Sequence, residues 1–586
     1  MLDPKYLERF SDQLLGIIDT LTIAIISDMA KRIVKMGNVS ESTKHQAEVL
    51  QNAGLVYKDT IKRVSQVSGY QKHEVQRMYE EAGVRNLKNE AVYYKQAGKE
   101  DIKLNQSNGM QRILQANIRK TCQELDNLTM TTAVRSQSAY IQACNRAQMK
   151  VSSGAFSYDK AIADAIKEAA VQGTEVLYPS QHVDKLDVAV RRAVLTGVNQ
   201  TAAEMNLQYA KDQNCDYVET TAHEGARPEH AVWQGKVFCL SGTDPKYENF
   251  YEATGYGTGP GLCGWNCRHN FHAFFPGIST PAYTQEMLDD YSAKNVEYNG
   301  KQFTEYEAGQ MQRGHERQIR ETKRKLAGYN SAISEAKDDL KNTLQNRFNE
   351  ESVRLKKQEA ALKVFCKETG RRYESARVQI HAVKNKAGDI VGFNRSVAQK
   401  AVWQDRKNTF KNQMSKQLEK LTNEEKKAIL RYTGNAANRV NSAIYSGKQQ
   451  RIDQEKGFMD LLDSALSKGT VEHKMVVHRD TIPEYLNAFP KGFQYSEEDI
   501  KRMNGMTLTN KGYTSTSFHD IMYQGRNVHL EIEIPKGYKG CLYIKDVATE
   551  KYKNQEEVLF KRGFQYKIKS VNKEKDRYYI KAEAVL

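Results

Sequence analysis

Apolar residues recur at three- and four-residue steps near the start of the chain, where Leu14, Ile17, Ile18, Leu21 and Ile25 form one stripe. This is the spacing of an amphipathic helix. Gly and Pro stay scarce up to about residue 210, so a helical scaffold is expected over 1–210. From Ile319 the stripe lengthens: Leu326, Ile333 and Leu340 follow at steps of seven, and after a one-residue skip Phe348, Leu355 and Leu362 continue it. Such a repeat predicts long helices packed along a seam. The complementary positions Thr322 and Ala336 are weak, which leaves a two-helix hairpin or docking on another subunit as alternatives to a coiled coil. Past a helical stretch at Leu421 to Ile444 the period changes from helix to strand. Val528, Leu530, Ile532 and Ile534 alternate with polar residues until Pro535-Lys536-Gly537 stops them, as in a half-buried antiparallel strand. Segments of similar length follow at Cys541 to Ile544, Glu557 to Phe560, Phe564 to Val571 and Tyr578 to Val585. The expected class is multidomain: mostly α-helical N-terminal and middle regions with a small irregular Cys/His module, then an α+β domain with antiparallel strands. The expected boundaries are 1–210, 211–280, 281–405 and 406–586.

Composition narrows this picture. A chain of 586 residues is too long for one core. Its 10 Pro argue against a disordered Pro-rich linker. The apolar run Leu21 to Ile26 runs into Ser27, Asp28 and Lys31, too short to cross a bilayer, and Asp3, Glu8 and Asp12 stand where an export signal needs basic residues. No membrane partner is expected. Eight Cys are too sparse for a disulfide scaffold and point to a reducing compartment. The net charge of +16 is concentrated: residues 311–430 hold 28 Lys and Arg against 15 Asp and Glu. Such a block is either a solvated helix face or a contact for nucleic acid.

Three short motifs follow one another in the α+β region: Val476-Val477-His478-Arg479, Gly512-Tyr513-Thr514-Ser515-Thr516-Ser517 and Gln555-Glu556-Glu557-Val558-Leu559. Arg479 and Ser515 lie 36 residues apart, Ser515 and Glu557 42. In order and spacing the set resembles the Arg / Ser-Thr-Ser / Glu signature of mono-ADP-ribosyltransferases of the clostridial C3 and binary-toxin type, over roughly 410–586. The resemblance implies NAD as co-substrate. Breaking the bond between nicotinamide and ribose develops positive charge on the sugar, and a carboxylate beside it stabilises that charge. Glu557 is the candidate. On an extended strand Gln555 would point the same way as Glu557, so both are expected to reach one site. Arg479 supplies a fork of donors for NAD phosphate and ribose, and Ser515, with Thr516 and Ser517, holds the geometry by hydroxyl bonds.

The resemblance also implies secondary NAD contacts at Asn441, behind Tyr432-Thr433-Gly434, and at Arg526, and acceptor recognition by Tyr552 and Gln555. An amide at 555, where relatives that modify arginine usually carry Glu, cannot take a proton from a guanidinium, so arginine is not the expected acceptor. Asp480 departs from the Gly that commonly follows the Arg. His478-Arg479-Asp480 imitates a kinase catalytic loop, but Tyr485 occupies its Asn position.

The centre of the chain carries a second set. His223-Glu224-Gly225-Ala226-Arg227-Pro228-Glu229-His230 runs into Trp233-Gln234-Gly235, and Cys263-Gly264-Trp265-Asn266-Cys267-Arg268-His269 precedes Phe275-Pro276-Gly277. With the helical N-terminus and the basic run Arg317 to Lys325, it resembles the core of tailed-phage minor capsid (head morphogenesis) proteins over about 1–385. Cys263, Cys267, His269 and His272, with His223, His230 or Cys239 nearby, are the residue types of a tetrahedral structural zinc site. Buried Cys and hydrogen-bonded His without metal are the alternative.

Together the two resemblances imply a phage minor head protein carrying a mono-ADP-ribosyltransferase. Its expected partners are the portal and other capsid proteins, a host protein acceptor and phage DNA through 311–430; its expected location is the virion. A structural capsid protein with an inactive transferase fold and a DNA-contacting packaging factor are the alternatives.

Overall fold

The computed structural model describes residues 2, 6, 12–36, 43–380, 383–384, 390–486, 488, 495–518, 525–574 and 576–586. Its chain divides into two compact units, Met1–Gln399 and Lys400–Leu586.

The first unit is built on helices α1 (Asp12–Lys35), α2 (Thr43–Gln96), α3 (Asn108–Ser152), α4 (Tyr158–Gln172) and α5 (Leu186–Asp212). Leu14, Ile18, Leu21 and Ile25 of the first stripe are fully buried in its core. A short antiparallel sheet follows, β1 (Tyr217–Thr220), β2 (Val237–Cys239) and β3 (Phe271–Phe274), with β1 in the middle. It packs over its own apolar cluster of Val218, Trp233, Phe238, Phe250 and Phe271.

The heptad stripe folds as a hairpin. Helix α6 (Glu305–Ile333) carries buried Ile319 and Leu326, and α7 (Asp338–Glu368) carries buried Leu340, Phe348, Leu355 and Leu362. The turn falls between Ile333 and Leu340 rather than at the one-residue skip. Both helices share one core with α1–α5.

The densest part of the basic segment is turned inward. Arg320, Lys323, Arg324 and Lys325 are all buried. Arg320 bridges Asp19 of α1 and Asp187 of α5, and Arg324 also binds Asp187. Lys323 donates to the carbonyl of Val378 at 2.6 Å, and Lys325 pairs with Glu321 at 2.6 Å. The two arginines neutralise buried carboxylates and the two lysines find a carbonyl and a partly exposed carboxylate, because an unpaired charge in a core is far more costly than a paired one.

The chain enters the second unit through α8 (Arg395–Leu418), followed by α9 (Asn423–Arg431), a π-helical turn at Tyr432–Ala436, α10 (Ala437–Ser446) and α11 (Gln449–Ser467). Among the described residues eight strands complete it: β4 (Met475–Thr481), β5 (Thr507–Asn510), β6 (Thr514–Ser517), β7 (Val528–Ile534), β8 (Cys541–Tyr543), β9 (Glu557–Phe560), β10 (Phe564–Glu574) and β11 (Arg577–Ala584). Their order is β5-β10-β11-β7-β4-β6-β9-β8. All pairs are antiparallel except β7 with β11. As the alternation requires, Val528, Leu530, Ile532 and Ile534 are buried.

Candidate active site

Three strands bring the C-terminal motifs together. Ser517 of β6 is paired with His478 of β4 on one side and with Glu557 of β9 on the other. Arg479 therefore lies one residue from the row that joins the second and third motifs. Side chains two apart share a strand face, so Ser515 and Ser517 stand on the same side as Glu557.

Glu557 is only 7% exposed. Burial pushes its pKa up, and a hydrogen bond with the Ser515 side chain pulls in the opposite direction. Thr516 faces the other way, and its hydroxyl donates to the carbonyl of Val558 at 2.8 Å. The hydroxyl of Ser517 donates to the carbonyl of Gln555 at 2.7 Å.

Arg479 and Glu557 both act on the phenol of Tyr432, in the π-helical turn. Burial first and then Glu557 raise its pKa, while Arg479 lowers it. Nη1 of Arg479 is buried and finds no hydrogen-bond acceptor among the described residues. A guanidinium N–H held this way is a donor for a ligand oxygen. Tyr432 was not among the site residues expected from sequence, and only its place in the Tyr-Thr-Gly motif hinted at it.

The strand argument for Gln555 does not hold. Gln555 ends a 3-10 helix, Glu550–Gln555, and β9 starts only at Glu557. Between them Glu556 adopts the left-handed conformation, φ 45° and ψ 51°, so the two-residue alternation does not extend back to Gln555. Three lysines hold that residue in place: Lys411 at 2.5 Å, Lys407 at 3.4 Å and Lys545 at 3.8 Å from its carboxylate. The side chain of Tyr552 lies outside the described residues.

Asn441 braces the second motif. Its Oδ1 accepts from the backbone N–H of Tyr513 at 2.9 Å, and its Nδ2 donates to the Tyr513 carbonyl at 3.2 Å and the Tyr432 hydroxyl at 3.3 Å. Gly512 is required beside it, because a Cβ there would lie 2.5 Å from Oδ1. Arg526 donates to the carbonyl of Asp480 at 2.7 Å, next to Arg479.

In the first unit, Cys267, His269 and His230 come together, all buried, with one ligand-type atom from each within 4.8 Å of the others. Cys263 is buried nearby, its Sγ 3.5 Å from the His269 carbonyl. His272 is not part of this group. Its ring stacks on Tyr93 at 4.0 Å and its Nε2 lies 3.8 Å from Glu219. On β3 it pairs with Glu219, whereas His269 precedes the strand and turns toward the Trp233 cluster.

A family model described as phage minor capsid protein 2 matches residues 2–367, well over half of the chain. The chain belongs to that family. A second model, ADP-ribosyltransferase exoenzyme, matches residues 407–586, so this minor capsid protein carries an ADP-ribosyltransferase exoenzyme domain.

Among curated proteins, a structural protein of Lactococcus phage LL-H is 27% identical over 36% of this chain and 58% of its own length. The chain thus spans little more than half of that relative. The epidermal cell differentiation inhibitor of Staphylococcus aureus is 28% identical over 30% of this chain and 78% of its own length. Two solved structures are similar at 26% identity and a TM-score of 0.27. Plx2a, an ADP-ribosyltransferase toxin from Paenibacillus larvae, is covered over 96% of its length and 31% of this chain. C3stau2 from S. aureus with NAD is covered over 93% of its length and 30% of this chain.

Within the exoenzyme domain, the unusual Asp480 has its own partner. Its Oδ1 lies 2.6 Å from Nδ1 of His529 on β7, and both side chains are buried. His529 in turn stacks on His478. The carboxylate that replaces the usual Gly is therefore absorbed by a neighbouring imidazole.

Proposed function

We propose that this minor capsid protein transfers ADP-ribose from NAD to a side chain of a host protein, with the C-terminal unit as the enzyme. The observation that carries the reading is the buried Glu557, hydrogen-bonded to Ser515 and sharing Tyr432 as a neighbour with Arg479. Arg479 would bind NAD oxygens through its unpaired Nη1, fixing the dinucleotide. Ser515 would orient Glu557 beneath the nicotinamide ribose. As the glycosidic bond lengthens, positive charge grows on the sugar and the Glu557 carboxylate stabilises it; low exposure strengthens that interaction. Nicotinamide leaves and the acceptor attacks the vacated carbon. Ser517, Asn441 and Arg526 would shape the pocket, and Tyr552 and Gln555 would recognise the acceptor, whereas Thr516 points to the opposite face of β6 and does not reach it. Gln555 has no basic group, which favours an amide or hydroxyl acceptor over arginine.

The capsid family suggests portal and other capsid proteins as partners and the virion as location. An enzyme carried in the head would enter the host with the DNA. Among the described residues no helix is long and apolar enough to cross a membrane.

Incubation of the full chain with labelled NAD and a bacterial lysate tests the enzyme reading. Labelled protein is expected, falling by about a thousandfold in Glu557→Gln, in the range seen when transition-state charge stabilisation is removed. Absence of NAD-dependent labelling and of NAD binding would leave a structural capsid protein.

A further inference from the structure

We propose that His230, Cys263, Cys267 and His269 form a structural zinc site that ties the central module of the first unit together. Four independent features of the geometry converge on it.

The first is distance. Sγ of Cys267 lies 3.6 Å from Nδ1 of His269. Thiolate and imidazole bound to one zinc at about 2.3 and about 2.05 Å, at a tetrahedral angle, stand about 3.6 Å apart. The ligand atom of His230 falls within 4.8 Å of both, so a bound ion needs the third arm to close by about 1 Å.

The second is the state of the two imidazoles. Oε1 of Gln234 accepts from the backbone N–H of His223 at 3.2 Å, which identifies that atom as the oxygen. The same Oε1 lies 3.1 Å from Nε2 of His269, so Nε2 carries the proton and the lone pair is on Nδ1, toward Cys267. Nε2 of His230 lies 2.8 Å from the carbonyl of Pro260, which can only accept. Nδ1 is then the lone pair His230 has to offer. Metal-binding histidines are commonly fixed in this way, with the second nitrogen donating to a carbonyl-type oxygen.

The third is the turn. Cys263 and Asn266 have φ values of 60° and 54°, left-handed for residues other than glycine, and they frame the Cys-Gly-Trp-Asn-Cys segment. Gly264 is needed there, because a Cβ would lie 2.1 Å from the Gly259 carbonyl. This strained turn holds both thiols, buried, against the carbonyl of His269, Cys263 Sγ at 3.5 Å and Cys267 Sγ at 3.8 Å; Cys263 stands outside the 4.8 Å group and would swing in as the fourth ligand. The fourth is the module itself, whose short strands enclose only a small apolar cluster, so an ion would add a constraint that the core does not supply.

His223 is excluded as a ligand in this arrangement. Its ring lies over that of His269 at 4.2 Å and 25°, and the lone pairs of stacked rings run side by side in the ring planes rather than converging.

Full-length protein expressed with added zinc and dialysed against metal-free buffer is expected to retain about one zinc per chain by elemental mass spectrometry. Exchange into Co²⁺ is expected to give the visible bands of a tetrahedral thiolate site. Cys267→Ser and His269→Ala should lose the metal, and Cys366→Ser, a buried thiol of the same unit, should keep it. Wild-type protein that is folded by circular dichroism yet holds under about 0.2 zinc per chain and shows no Co²⁺ bands overturns the proposal. The wild-type measurement decides the matter even if a variant fails to fold.

Discussion

Ser517 faces Glu557 across β6 and β9, and its hydroxyl reaches past that pair to the carbonyl of Gln555 at 2.7 Å. This bond ties the last turn before β9 to β6, the strand paired with the one that carries the carboxylate. It crosses the left-handed Glu556, a conformation that costs roughly 1–2 kcal/mol for a residue with a side chain.

Ser517→Ala removes that link while leaving Ser515, Glu557 and Arg479 in place. Loss of one hydrogen bond of about 1 kcal/mol is expected to let the Gln555–Glu556 segment relax. The rate of ADP-ribose transfer should fall by about tenfold through kcat, with KM for NAD changed by less than about twofold. Steady-state kinetics decide it, and an unchanged kcat would remove Ser517 from the positioning of Glu557.

The pH profile tests the state of Glu557. In the proposed mechanism transfer needs its carboxylate, and burial raises its pKa above the ordinary 4.5. Activity is therefore expected to be lost, as pH falls, at a higher pH than an ordinary glutamate would give. The Ser515 bond opposes the shift, so Ser515→Ala should move the acidic limb of kcat/KM to still higher pH. A limb that stays put, or moves down, contradicts the contact. The same raised pKa means that the folded state binds more protons than the unfolded one, so ionised Glu557 weakens the fold as pH rises through its pKa.

Asp187 behaves in the opposite sense. Burial disfavours its charge, but Arg320 and Arg324 together outweigh burial and hold it down to about 2 from 3.8. Asp19 is pushed up, because burial and the neighbouring Asp187 charge outweigh the attraction of Arg320. Asp187→Asn leaves two buried guanidinium groups short of a counter-charge and is expected to destabilise the first unit by about 3–5 kcal/mol in urea unfolding. The wild-type advantage should be present above pH 3.8 and shrink as pH falls from there toward about 2, where Asp187 itself takes up a proton. A pH-independent difference over that window would assign the loss to packing instead.

Periodicity made the helices of the first unit and the alternating strand at 528–534 legible, because burial of a face imposes its period on the sequence directly. Motif order likewise singled out Arg479, Ser515 and Glu557 as candidates, since the proposed chemistry needs those residue types, and the sheet pairing sets their strands side by side. Local rules failed where a long-range contact outweighed them. Gln555 reads as strand, yet three lysines and Ser517 stabilise a left-handed residue after it. The basic block 311–430 reads as a solvated helix face or a nucleic-acid contact, yet Asp19 and Asp187, which are remote in sequence, draw Arg320 and Arg324 inside. His272 and His230 are equally plausible partners for Cys267 in a list of residues, and only the direction of the chain after His269 separates them. Sequence alone determined which elements form and which residues are candidates for NAD; tertiary structure decided which charges are neutralised and which side chains share a site, because those outcomes depend on partners that no local pattern encodes.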